Sequence, residues 1–126
     1  MPADNRPEGL LRWQWSLYPA GHTDPVNLAL HALTVPLFLG GTFSLLSSAA
    51  LGVVPAVGGG AAFVVAVVAQ GYGHKRERVG PAPFRGPLDV VARLFVEQWV
   101  TFPRYVLTGG FARAWSRAPA RRPTGA

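Results

Sequence analysis

From Leu28 to Gly73 the chain carries no Asp, Glu, Lys or Arg, and no polar stripe recurs at helical period within that stretch. A helix needs roughly 20 apolar residues to cross about 30 Å of hydrocarbon, so the stretch predicts two membrane spans. Between them, Leu51 to Gly60 gathers Pro55 with Gly52, Gly58, Gly59 and Gly60. That composition disfavours continuous helix and favours a tight turn. Span one is therefore placed at about 28–51 and span two at about 56–73. The soluble alternative, two buried core helices, conflicts with the missing polar stripe. A third hydrophobic helix, at about 86–108, includes Asp89, Arg93, Glu97, Pro103 and Arg104, and reads as an amphipathic, re-entrant or imperfect transmembrane element. The predicted fold class is all-α, an integral membrane helical hairpin plus that third helix. Residues 1–111 form the membrane-embedded domain, and 112–126 form a basic, disordered tail.

Charge orients the hairpin. The net charge is +6, and ten of the twelve Lys and Arg residues follow His74 while two precede Leu28. The turn is uncharged, so the positive-inside rule puts both ends of the hairpin in the cytoplasm. Aromatic residues do not interleave with the basic ones as a base-stacking surface requires, which argues against nucleic acid. Contact with anionic membrane lipid accounts for the arginines more simply. High Ala, Gly, Pro and Arg usage points to a bacterial source and hence an inner membrane. There is no cysteine, which removes disulfides, thiolate metal sites and cysteine catalysis. A polar segment precedes the first apolar run, which is too long for a signal-peptide core. Span one is thus expected to act as an uncleaved targeting signal. A small two-span protein exposes much packing surface, so a homo-oligomer is expected.

Antiparallel spans bring the start of span one beside the end of span two, and the three histidines, His22, His31 and His74, then share one membrane face. Asn27 and His31 are four apart, and Gln70, His74 and Glu77 follow a 4-then-3 spacing, each set on one helical face. Asp24 or Thr23 is placed to cap span one, with Pro25 in its first turn. Neutral imidazoles with a carboxylate suit a divalent first-row metal. Histidine with carboxylate and open positions is the habit of oxygen-activating iron(II), and three histidines with water also describe catalytic zinc. Asn27 and Gln70 fit groups that hydrogen-bond the ligands. Each residue also has a plainer reading: solvated histidines, Asn27 as a cap, Gln70 as interhelical glue, Glu77 as a surface ion-pair partner. Their joint placement favours a site, because polar groups within spans usually face an interior or a cavity.

The same residues resemble the two signature blocks of the 2-hydroxy fatty acid dioxygenase family. The first is Tyr18 with the H-x4-N-x3-H segment His22 to His31 and Pro36. The second is the Q-x2-G-H-x2-E-x3-P-A segment Gln70 to Ala82. The resemblance covers about residues 13–98. Eukaryotic members act at the endoplasmic reticulum in fatty-acid α-oxidation, including phytosphingosine breakdown. The resemblance implies an Fe2+-dependent membrane dioxygenase that uses O2 to shorten a long-chain 2-hydroxy fatty acid by one carbon. It implies His22, His31 and His74 as metal ligands, with Glu77, Asn27 and Gln70 as the accompanying catalytic residues. Glu97 stands where relatives carry a glutamate, but it also reads as an i,i+4 partner of Arg93, and that reading is the one favoured here. Relatives are commonly read with four spans, where this chain has two clear ones. Two other classes compete: a non-enzymatic lipid-binding or assembly protein that packs a partner helix on Gly40, Gly41, Ser44, Ser47 and Ser48, and a zinc-dependent lipid hydrolase with Glu77 or Glu97 as base.

Overall fold

The computed structural model describes residue 6 and residues 8–118, and every regular element among them is helical. In order these are α1 (Gly9–Leu17), a 3-10 turn (Pro19–Gly21), α2 (Pro25–Leu51), α3 (Val53–Lys75), α4 (Pro87–Val96), a π-helical turn (Glu97–Thr101), α5 (Phe102–Leu107) and α6 (Gly110–Arg117). Helices α2 and α3 form the hairpin, and they are the two helices among the described residues long and apolar enough to cross a membrane. At 1.5 Å per residue they measure about 40 and 35 Å.

Asp24 starts α2 as expected. Its carboxylate accepts from the Val26 and Asn27 N–H groups at 2.9 and 3.1 Å, and Pro25 occupies the first helical position. The reversal is tighter than the sequence suggested. Gly52 alone, at φ 88° and ψ −156°, separates the two helices, so α3 begins at Val53 rather than near 56. Pro55 lies in the first turn of α3, where a missing N–H breaks no hydrogen bond. The glycines after it do not unwind the helix; they let it approach its neighbour. A Cβ on Gly59 would stand 2.7 Å from the Gly41 carbonyl oxygen, and one on Gly41 would stand 2.9 Å from that of Gly59. Gly41 and Ser44 are thereby used inside the hairpin, not kept for a partner helix.

Burial runs opposite to that of a water-soluble bundle. Asn27, His31, Thr34, Gln70, Gln98 and Thr101 are buried, while Leu33, Phe43, Leu46, Val54, Val57 and Val68 are exposed. Such a distribution suits apolar surroundings, because exposed leucine and valine lose nothing in hydrocarbon whereas unsatisfied polar groups do.

The third hydrophobic element is one helical run, α4 through α5, with a changed register in its middle. The Phe102 N–H bonds to the Glu97 carbonyl five residues back, and Pro103 has no N–H to offer. A π turn shifts every later side chain around the axis. Phe95, just before the turn, packs with Phe38 and Phe63 of the hairpin at centroid distances of 5.3 and 6.3 Å.

Residues 112–117 of the expected disordered tail are helical. Helix α6 runs to Arg117 because aromatic residues among its arginines have partners. Phe111 meets Phe102 edge-on at 5.9 Å and stacks on Trp115 at 6.2 Å, and Gly110 lies flat against the Tyr105 ring. Residues 119–126 of that tail lie outside the described residues.

Candidate metal centre

Each histidine of the expected set comes from a different element: His22 from the loop after the 3-10 turn, His31 from the second turn of α2, His74 from the last turn of α3. The hairpin brings the last two together. His22 follows because Tyr18, at the end of α1, stacks on its ring at 3.7 Å with 16° between the planes. The three rings pack mutually edge-on, with centroids 4.8–5.1 Å apart and interplanar angles of 82–85°.

The fourth member is Glu97, the first residue of the π turn. Its Oε1 lies 3.0 Å from His31 Nε2, 3.5 Å from His22 Nε2 and 3.8 Å from His74 Nε2. The preference for Glu97 as an Arg93 partner is therefore corrected. Arg93 instead bonds to the Ala82 and Pro83 carbonyls, lies 3.7 Å from Asp89, and sits over the Phe84 ring. Glu97 is the candidate ligand that spacing alone assigned elsewhere; the available signal was an acid in an otherwise apolar segment, which usually faces an interior.

Tautomers make the geometry chemically specific. His22 Nδ1 lies 2.7 Å from the Tyr18 carbonyl oxygen and His31 Nδ1 lies 3.0 Å from that of Asn27. A carbonyl only accepts, so both Nδ1 atoms donate, and in the neutral ring both Nε2 atoms present lone pairs. Those lone pairs converge on a carboxylate oxygen, which also only accepts. His22 Nε2 is buried without a hydrogen-bond partner. Acceptors gathered in this way call for a cation among them. Ligand bonds of about 2.1 Å give ligand-to-ligand edges of roughly 3.0 Å at right angles and about 3.4 Å at the tetrahedral angle; the His31 and His22 contacts to Glu97, at 3.0 and 3.5 Å, match those edges, and the His74 contact is longer at 3.8 Å. All four ligand atoms lie within 4.8 Å of one another, so the donor set fits a divalent metal.

The other expected site residues lie outside this cluster. Glu77 points away from the histidines. It accepts from the Thr23 and Asp24 N–H groups at 2.9 Å each, from Thr23 Oγ1 at 2.8 Å and from Asn27 Nδ2 at 2.8 Å. Asn27 thus joins Glu77 through its side chain and His31 through its carbonyl. Its Oδ1 rests against the bare Cα of Gly73, where a Cβ would come within 2.3 Å. Gln70 lies one turn deeper. Its amide exchanges hydrogen bonds with Gln98 at 3.0 and 2.7 Å and donates to Thr34 at 3.0 Å. Gln98 is fully buried and adjoins Glu97, so this clamp fixes the π turn that carries the carboxylate. Tyr18 adds a contact the sequence did not assign, its hydroxyl lying 3.3 Å from Glu97 Oε1.

Burial lowers the His22 pKa below its ordinary 6.5; the Glu97 carboxylate opposes the shift and the neighbouring His31 adds to it. With the folded value below the unfolded one, the unfolded chain takes up more protons in between. The loop's stability is complete above pH 6.5 and is lost as pH falls through the folded value. Protons also compete directly for the ligand nitrogens. Thermal midpoint and metal retention are expected to fall together on acidification below about pH 6.5; melting curves with metal analysis across that range check it, and a flat profile would contradict the assignment.

No curated protein and no solved structure matches the chain. A family model described as 2-hydroxy-palmitic acid dioxygenase Mpo1-like matches residues 10–107, from the start of α1 to the end of α5 and including His22, His31, His74 and Glu97, and the chain belongs to that family.

Proposed function

We propose that this protein is an integral membrane dioxygenase that binds iron(II) through His22, His31, His74 and Glu97 and shortens a 2-hydroxy fatty acid by one carbon. The observation that carries this reading is the convergence of three imidazole nitrogens on one carboxylate, with the tautomers of His22 and His31 set by backbone carbonyls. The family description supplies the reaction class.

The overall change balances without a second reductant: the hydroxy acid and O2 give the acid one carbon shorter, CO2 and water. A bound iron(II) would supply the means of bringing O2 and the hydroxy acid together, with the substrate itself as the electron source. The protein's residues hold and shield. Tyr18 stacks on His22 and keeps it in one rotamer. The Glu77 carboxylate fastens the His22 loop to the end of α3. The paired Gln70 and Gln98 amides hold Glu97 in register. Phe102 closes the His31 side at a centroid distance of 6.0 Å and limits water there. The exposed apolar faces of α2 and α3 lead away from the same mouth, and an acyl tail lying along them brings its acid head to the centre. In this reading both ends of the hairpin lie in the cytoplasm, where its basic flanks belong.

A zinc hydrolase using Glu77 as base is disfavoured by the geometry, since that carboxylate is saturated by four donors. Metal analysis of protein purified anaerobically in mild detergent, with oxygen uptake followed on adding a long-chain 2-hydroxy acid, tests the proposal. Near-stoichiometric iron and substrate-dependent uptake are expected, and both should vanish in His31→Ala. Absence of metal after iron(II) reconstitution, with no uptake, would overturn the reading.

A further inference from the structure

Beside the histidine cluster a cleft of about 700 Å3 opens between the Pro19–Pro25 loop, the chain just after α3, and helix α6. Arg76, Arg78, Arg113 and Arg117 line it, together with Tyr105, and His22 forms part of its wall. The two acidic groups in the lining are already committed. Asp24 pairs with Arg76 at 3.0 Å and caps α2. Glu77 is saturated by the donors of the His22 loop. Four arginines thus face two carboxylates across the lining, and the cleft keeps a net charge of about +2. Arg113 reaches the Thr108 carbonyl at 3.3 Å, a neutral acceptor that leaves its charge uncompensated. The guanidinium groups of Arg78 and Arg117 lie along the cleft with no ion pair to a described carboxylate.

Like charges gathered around a concave surface repel one another and are relieved by an anion. Guanidinium groups in particular take carboxylate through paired N–H donors. The shared His22 wall places such an anion one imidazole ring from the centre. The apolar helix faces that begin at the same mouth suit an attached alkyl chain. A phospholipid headgroup is met as well by arginines on an open surface, and it makes no use of a walled cleft or of His22.

We propose that this cleft is the capture site for the carboxylate head of a long-chain acid, with Arg78, Arg113 and Arg117 as its anion-binding groups. The identity of the acid as substrate rests on the function proposed above; binding in the cleft does not require turnover.

The test uses the full-length protein in nanodiscs of phosphatidylcholine, without metal, and energy transfer from its tryptophans to a pyrene-labelled long-chain acid or to the methyl ester of that acid. The acid should bind and the ester should bind at least about tenfold more weakly, the equivalent of one charge-assisted contact. The double variant Arg113→Gln, Arg117→Gln should lose a similar factor for the acid, leave the ester unchanged, and retain wild-type metal content. In loaded enzyme the same variant should raise KM with little change in kcat. Equal binding of acid and ester, or no effect of the double variant, would overturn the proposal. Displacement of the acid by phosphatidylglycerol in the disc, with myristate failing to displace it, would assign the cleft to lipid headgroups and also overturn it. Failure of oxygen uptake with intact acid binding would sink the dioxygenase reading alone.

Discussion

Glu97→Gln is expected to empty the histidine cluster of metal while leaving the helices in place. The substitution keeps side-chain length and one carbonyl oxygen, so the Tyr18 hydroxyl retains an acceptor and the neighbouring Gln70–Gln98 clamp is untouched. What disappears is the negative charge and one ligand. An amide oxygen is a poor donor to a divalent ion beside three neutral imidazoles. Mutation of groups that merely support ligands already costs metal affinity by about 10- to 100-fold, so loss of a ligand should cost about 100-fold or more. The metal-free variant should fold as well as the wild type, because it no longer holds a buried carboxylate against imidazole lone pairs. Iron titration with a parallel melting curve separates the two effects; stoichiometric iron in the variant would remove Glu97 from the ligand set.

Glu77→Ala should act differently, by releasing the His22 loop. The lost carboxylate strands the Thr23 and Asp24 N–H groups and the Asn27 amide. A buried donor without a partner costs about 1–3 kcal/mol; with Thr23 exposed, Asp24 half-buried and the Asn27 amide still at 3.3 Å from the Gly21 carbonyl, the local penalty is about 1–3 kcal/mol. The consequence falls on the segment between the 3-10 turn and α2, and metal binding weakens because His22 loses its position. Helices α2 and α3 should keep their protection, since their contacts lie elsewhere. Hydrogen exchange resolved by segment is the measurement: faster exchange confined to about residues 19–24, with reduced iron retention, is the expected pattern. Glu77→Gln should fall between, as it preserves one accepting oxygen. Unchanged exchange in the alanine variant would contradict the strapping role.

The hairpin was legible in the sequence because its signal is an absence of charge sustained over two spans, and the cap at Asp24 because its chemistry is local. The meeting of His31 and His74 followed from antiparallel geometry alone. Glu97 escaped because it does follow Arg93 at i,i+4, its N–H bonding to the Arg93 carbonyl, yet the Arg93 guanidinium turns to the Ala82 and Pro83 carbonyls and leaves the carboxylate to the histidines. Glu77 misled for another reason. A carboxylate three residues after a histidine reads as part of its site, yet two of its four partners are backbone N–H groups, which side-chain patterns do not display. Gln70 sits one helical turn, about 6 Å, below His74, too deep to reach the same centre and well placed to brace it. The glycines at 58–60 read as a break because close approach between helices and helix termination draw on the same residue.

The single-residue reversal at Gly52 has a consequence for how the cell meets this protein. In the proposed orientation the hairpin offers only the Gly52 turn at its far end, with no loop there for a protease or an antibody to grasp. If the proposed function holds, substrate would reach the centre from the side that carries His22 and His74. A reporter inserted at Gly52 would need to bring its own linker, and its effect on packing would register first at the Gly41–Gly59 crossing rather than at the centre.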